Sequence, residues 1–471
     1  MQLGENKVIT YNSLEDEANF KSIIKSFDDT IKKVISITQW PDPLNTRAYT
    51  INYEDLSGIV HGLTVEITSQ EAYDFQCGIL NLISSSFSLT SNDAATDTPI
   101  PVPTPIKYDD TQNIVPFQYA LFRHPAGVLL SPEDDYLSEQ ERTLIELKIG
   151  SYLRTLHDNV LNEWYGQTWA PKEWSECISW QEAFALMFET ALDAFEALNV
   201  NLEQQDVLNI SRHTFSVHEL RKSLGRAIGY FLFDDVEVPS LIWCGTVSSS
   251  SSPGVKKPTP YWRSRVLISL TTREPVCFLG WNANSGPRTI GNENSLGLGP
   301  IWGDPLMEGI FSTNSSTTSS LSSSDISNTS NSSNPTTQTN PNTSLSLAVT
   351  DPAYPTIAST PSGPSAAILE GYGGSPIIFS RQNTKRLWYD AYTTLLEILS
   401  LSGKSDASTS SISGGNPPTT LTPGGNTSII STSIVNALAL AQDTPNHESQ
   451  INEARKRLAE LAGKLKNAPC Y

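Results

Sequence analysis

The chain has 471 residues, of which 38% are hydrophobic and 9% aromatic, enough to bury one large core or two moderate ones. Its 50 acidic residues against 31 basic ones give a net charge of −19, which repels nucleic-acid phosphates and anionic membrane surfaces and argues against either as a partner. No segment offers about 18 consecutive apolar residues, and the N-terminal MQLGENKVITYNSLEDE has no basic stretch leading into an apolar one, so a soluble, intracellular, cytoplasmic protein is expected. Cys77, Cys177, Cys244, Cys277 and Cys470 are scattered without CxxC pairing, which points to free thiols and not to zinc or a disulfide framework.

Residues 1–44 read as a helical N-terminal extension, with Phe20, Ile23, Ile24, Phe27 and Ile31 spaced along one face and Trp40-Pro41 as its stop. YTINYEDLSGIVHGLTVEI then holds two runs of β-branched and aromatic residues around an acidic, glycine-containing turn, the pattern of a hairpin. Over residues 70–84 the stripe Ala72, Phe75, Ile79, Leu82, Ile83 predicts a helix, and a strand is expected from Phe117 to Phe122, with Gly127 closing a small β-rich lobe over 45–130. Residues 131–471 form the expected large α-rich lobe, with helical periodicity in ERTLIELKIGSYLRTLHDNVL, SWQEAFALMFETALDAFEAL and HELRKSLGRAIGYFLFDD. That lobe is interrupted by VPSLIWCGT and by a hairpin of RVLISLTT and EPVCFLGW. Ser/Thr/Asn/Gly-rich stretches at 312–347 and 403–431 are low-complexity insertions, too poor in apolar surface to offset the entropy of ordering. KRLWYDAYTTLLEILSL and INEARKRLAELAGKL return to amphipathic helix.

Five strings in chain order, IPVPTPIKYDD, PFQYALFRHPAGVLL, GSYLRTLHDNVLNEWYG, WGDPLMEGIF and KRLWYDAYTTLLEIL, together resemble the fungal branch of the aminoglycoside phosphotransferase and choline-kinase-like superfamily. IPVPTPIKYDD is similar to the segment after the small lobe's helix, and PFQYALFRHPAGVLL to a fifth strand with the glycine that leads between the lobes. GSYLRTLHDNVLNEWYG is similar to the long helix carrying "LR-x-LH", here Leu153, Arg154, Leu156 and His157. WGDPLMEGIF resembles the "wGDP" segment, and KRLWYDAYTTLLEIL the tyrosine-bearing helix near the C-terminus. The resemblance implies an α+β, bilobal, protein-kinase-like fold with the low-complexity stretches inserted.

Phosphoryl transfer from ATP needs a cation on the phosphates, a carboxylate to position it, an Asp to orient the attacking hydroxyl, and magnesium ligands. Aligned with the superfamily, Trp243 stands at the catalytic-loop His, Gly245 at the catalytic Asp, Arg265 at the metal-binding Asn and Gly280 at the second metal-binding Asp, while Trp281 matches the Trp that follows. On the strand GLTVEIT the phosphate-pairing position falls on Glu66 or Thr64, and Gly78 falls near the Glu that pairs with it. The expected protein is therefore a catalytically degenerate pseudokinase or binding module, with Glu66, Trp281 and Asp304 as cleft candidates, no metal site, and a protein partner or small molecule between the lobes. The alternative is an active ATP- and magnesium-dependent phosphotransferase for an alcohol or amine group, its catalytic groups supplied from other positions such as Asp234, Asp235 or Asp304; a third reading is a purely structural protein whose cleft is filled. Simpler readings stand beside these: His157 as a packed helix residue, Asp304 as a cap, Asp234-Asp235 and Lys256-Lys257 as solvated charge, and Trp243, Trp262, Trp281 and Trp302 as core.

Overall fold

Strict alternation in RAYTINYED and VHGLTVEI dictates two-faced strands, and in the computed structural model β2 (Arg47–Asp55) and β3 (Val60–Ile67) pair antiparallel with Thr50 opposite Thr64 and Asn52 opposite Gly62. The structure describes residues 17–40, 47–88, 100–130, 137–167, 177–205, 216–242, 266–269, 271–278, 300–312, 364–402 and 446–470. Tyr49, Ile51, Tyr53, Leu63 and Val65 face α1 (Glu17–Phe27), whose Phe20, Ile23 and Ile24 complete a first core. β1 (Ile31–Gln39), β4 (Thr104–Asp109) and β5 (Tyr119–Pro125) extend the antiparallel sheet to the order β1-β2-β3-β5-β4. The opposite face carries Ala120 and Phe122, on which Ile79, Leu80 and Ile83 of α2 (Gln70–Ser88) pack.

Ile31, expected in the helical extension, belongs to a strand. The helix ends at Phe27 because Asp28 turns the chain, its carboxylate accepting from the Thr30 backbone N–H at 2.9 Å, and the β-branched run IKKVISITQ then pairs along β2. The spacing of Ile31 from Phe27 continues a helical period, yet its side chain reaches the same core from the strand.

Beyond Gly127, β6 (Val128–Leu129) leaves the first sheet and joins β9 (Val266–Ile268) and β10 (Pro275–Phe278) in the order β10-β9-β6. A third sheet sets β11 (Ile301–Gly303) between β7 (Gly166–Gln167) and β8 (Ser240–Ile242). Around them lie α3 (Glu139–Asn159), started by a Ser138/Glu141 capping box, α4 (Trp180–Gln205), α5 (Val217–Gly229), α6 (Ala366–Gly371), α7 (Ser380–Ser402) and α8 (Asn446–Asn467). Trp388, Tyr389, Tyr392 and Leu395 of α7 form the centre of the largest core, between Phe184 and Phe188 of α4 and Leu458, Leu461 and Leu465 of α8.

The expected α+β class, a sheet-rich lobe followed by a helix-rich one, is the one the structure has. Apart from Ser312, both low-complexity stretches lie outside the described residues, and among the described residues no helix is long and apolar enough to cross a membrane.

Candidate inter-lobe site

Because side chains alternate along a strand, Gly62, Thr64 and Glu66 share the inner face of β3, and Ala48, Thr50 and Asn52 share that of β2 beside them. Glu66 is only 1% exposed, and its Oε1 accepts from Gln76 Nε2 of α2 at 3.4 Å. The residue of α2 that meets Glu66 is thus Gln76 and not Gly78. Gln76, Ile79, Leu80 and Ile83 follow the i, i+3, i+4, i+7 spacing of one helix face, whereas Gly78 is exposed with open space where a Cβ would stand. Thr64 Oγ1 and Gln76 Oε1 are buried and have no hydrogen-bond partner among the described residues. At the far end of the face, the ring of His124 lies over Gly62, with Nδ1 donating to the Pro125 carbonyl at 2.8 Å, and burial holds its pKa below the ordinary value.

Asn52 spans from the small lobe to the junction between the lobes. Its Nδ2 donates to the Gly127 carbonyl at 2.8 Å and its Oδ1 accepts from the Gly127 N–H at 3.1 Å. Gly127 is required there, since a Cβ would stand 2.8 Å from the Ile268 carbonyl oxygen of β9. Trp40, immediately after β1, closes the other end: its backbone N–H donates to Ala48 O at 2.9 Å and its indole Nε1 to Thr50 Oγ1 at 2.8 Å. The indole is 3% exposed and packs with Ala48 against Leu267 of β9 and Cys277 of β10. Neither Trp40 nor Asn52 was singled out by motif. A signal did exist, because Asn is depleted in strand interiors and an inward Asn at mid-strand calls for a polar partner.

Asp304 lies within the large lobe and not between the lobes. It caps a short 3-10 turn over Pro305–Met307, Oδ1 accepting from the Leu306 N–H at 2.9 Å, while Oδ2 accepts from Tyr389 at 2.7 Å and pairs with Lys385 Nζ at 2.7 Å. Burial and the adjacent Asp304 push the Tyr389 phenol well above its ordinary pKa, so it stays a donor. Lys385 also donates to Asp235 at 2.7 Å, with Arg381 3.5 Å from the other oxygen of that carboxylate. His157 is buried between Tyr372 (Nδ1 to the hydroxyl, 2.8 Å) and Glu308 (Nε2 to Oε1, 3.2 Å). Trp302 is core. Such groups lock elements together; the capping role of Asp304 and the packed role of His157 are the ones the geometry supports.

Trp243, Gly245, Arg265, Gly280, Trp281, Trp262 and Lys256-Lys257 lie outside the described residues. Among the described residues no group of three or more His, Cys, Asp or Glu side chains is placed to hold a metal ion. The described inner face presents the buried carboxylate of Glu66 and the amide of Gln76.

No protein-family model and no curated protein matches the chain. Among solved structures it is similar to a Ralstonia eutropha protein assigned to the aminoglycoside phosphotransferases, at TM-score 0.42 and 10% identity over 94% of this chain and 98% of that one. It is also similar to an aminoglycoside phosphotransferase in complex with GDP and kanamycin, at TM-score 0.40 and 9% identity over 84% and 94% of the two chains. A choline/ethanolamine kinase family protein of Mesorhizobium loti aligns at TM-score 0.36 and 11% identity over 89% and 92%. At TM-scores below 0.5 these likenesses assign neither residue roles nor activity.

Proposed function

We propose that the chain is a kinase-like protein of the aminoglycoside phosphotransferase type that has lost phosphoryl transfer and serves as a binding module, meeting a protein partner or a small molecule at the face between its lobes. The observation that carries this reading is the buried Glu66–Gln76 pair. The sequence resemblance puts a lysine or arginine on this strand to hold nucleotide phosphates and a carboxylate on the helix to steady it; here the strand supplies the acid and the helix a neutral amide. A phosphate oxygen brought within 4 Å of an ionised carboxylate at an effective dielectric of about 20 is repelled by about 4 kcal/mol. Phosphoryl transfer relies almost wholly on positioning and on stabilising that same negative charge, so the inversion works against catalysis. Gly245 and Gly280 point the same way, since neither can orient a hydroxyl or ligate magnesium.

The alternative, an active ATP- and magnesium-dependent enzyme acting on an alcohol or amine group, needs substitute carboxylates. Of Asp234, Asp235 and Asp304, the last two are already engaged by Lys385, Tyr389 and Arg381, and Asp234 is exposed to solvent. Melting the full chain with ATP, with and without magnesium, separates the two readings, because a ligand that binds the native state raises Tm according to its concentration over Kd. The expected result is an unchanged Tm at millimolar ATP in both conditions. A magnesium-dependent rise would sink the binding-module reading.

A further inference from the structure

We infer that Trp40 and Asn52 together occupy, from within the chain, a slot between the lobes suited to a planar heteroaromatic ligand of the purine kind. The slot's hydrogen-bonding edge is the N–H and C=O of Gly127, where the chain passes from the first sheet to the second. A backbone residue offering both groups side by side is the natural complement of a heterocycle with adjacent acceptor and donor. Asn52 presents that pair through its carboxamide, at 3.1 and 2.8 Å, and its Nδ2 is further fixed by Ser36 Oγ at 3.0 Å.

The flat part of the slot is filled by the indole. Ala48, Thr50 and Asn52 point the same way at successive alternate positions of β2, so the ring held by Thr50 lies next to the Asn52–Gly127 pair. Ala48 forms one wall from the small lobe, Leu267 and Cys277 form the other from the β9–β10 hairpin, and Leu129 and Val276 line the rim. A tryptophan at the end of an edge hairpin would ordinarily keep one side in water; Trp40 instead bridges two lobes with its only polar atom satisfied inside. Aromatic plane and amide edge, the two features by which a purine is held, are both supplied by side chains. Among the described residues the joint is therefore filled from within the chain, and a free base has no place beside Gly127 while Trp40 and Asn52 stay where they are.

This inference rests on the binding-module reading but is tested apart from it by using adenine, which carries no phosphate and so is indifferent to Glu66. Full-length Trp40→Ala is compared with the parent chain in melting experiments with adenine and with indole. The variant is expected to melt about 5–10 °C lower, and millimolar adenine or indole should raise its Tm while leaving the parent unmoved. Cys277 gives a second readout. It is a free, fully buried thiol whose pKa burial raises, hence unreactive in the parent. In the variant N-ethylmaleimide should label the Cys277 peptide, and adenine should slow that labelling.

A variant that ignores both compounds, or a parent chain stabilised by adenine as much as the variant is, would overturn the inference. Should Trp40→Ala fail to fold, Trp40→Phe keeps an aromatic ring while vacating the indole's second ring and its N–H. Labelling of Cys277 in that variant no faster than in the parent would equally overturn it. ATP raising the parent's Tm only with magnesium, while adenine acts on the variant alone, would strike at the binding-module reading and leave the slot assignment standing.

Discussion

Replacing Lys385 by alanine is expected to destabilise the protein by about 3–5 kcal/mol, the usual consequence of removing one member of a buried ion pair. Its ammonium group is 2.7 Å from both Asp304 Oδ2 and Asp235 Oδ1, and Asp304 is itself buried beneath the turn it caps. Without Lys385 that carboxylate keeps, among the described residues, the Tyr389 hydroxyl and the Leu306 N–H. Urea unfolding of Lys385→Ala measures the loss, and a change below about 1 kcal/mol would contradict it. The double variant Lys385→Met, Asp304→Leu should recover part of the loss, because an apolar pair of similar volume removes the stranded charge. Partial recovery sets the ion pair's role as an anchor of α7 to the β11 turn, a role that does not require the charges to do chemistry.

The second large effect is expected at the crossing of α3 and α6. A Cβ on Gly371 would stand 1.9 Å from the Leu147 carbonyl oxygen, and one on Gly150 2.1 Å from that of Ile368. Both obstacles are backbone atoms of a regular helix, so no side-chain rearrangement relieves the clash; the helices must part. Gly371→Ala is therefore expected to cost about 3 kcal/mol or more. Parting the helices also pulls Tyr372 from His157, which now lie 2.8 Å apart at the end of this contact. Gly463→Ala on α8 is the control. No described atom lies within 4 Å of its added methyl, so the gain in helix propensity should leave stability equal or up to about 1 kcal/mol higher. Equal losses at both glycines would refute the steric account.

Much of the scaffold is legible in the residues alone, for reasons that are local. The period of two in YTINYEDLSGIVHGLTVEI and of 3.6 in the three long helical strings is imposed by each segment's own burial, and β2, β3, α2, α3, α4 and α5 fall where those periods put them. β1 was misassigned because Ile31 sits four residues after Phe27, a spacing that a helix and a helix–turn–strand corner satisfy equally well; only the Asp28–Thr30 turn tells them apart. Gln76 was missed for the opposite reason. Which of several neighbouring helix positions meets Glu66 depends on the rotation of α2 on the sheet, and that is set by Ile79, Leu80 and Ile83 against Ala120 and Phe122. Trp40 reads locally as the end of a segment. Its inward course is decided by Leu267 and Cys277, far along the chain, and no spacing within its own neighbourhood encodes that contact. The aligned catalytic positions Trp243, Gly245, Arg265, Gly280 and Trp281 remain expectations from the resemblance, outside the described residues.

The antiparallel seating of α7 on α8 has a consequence for how this gene product tolerates change in length. Arg457 pairs with Glu397 at 2.7 Å, and Thr384 donates to the Pro469 carbonyl at 2.7 Å, so the end of α7 lies beside the first turns of α8. The two helix ends joined by the stretch 403–445 thus lie close together. For any flexible connection between ends held close together the entropic cost grows only as the logarithm of its length, about 0.6 kcal/mol per doubling. Cutting it to a short glycine–serine linker should leave the unfolding free energy nearly unchanged, and the length of this stretch is then free to drift, constrained by composition and by whatever meets it and not by the stability of the helices it joins.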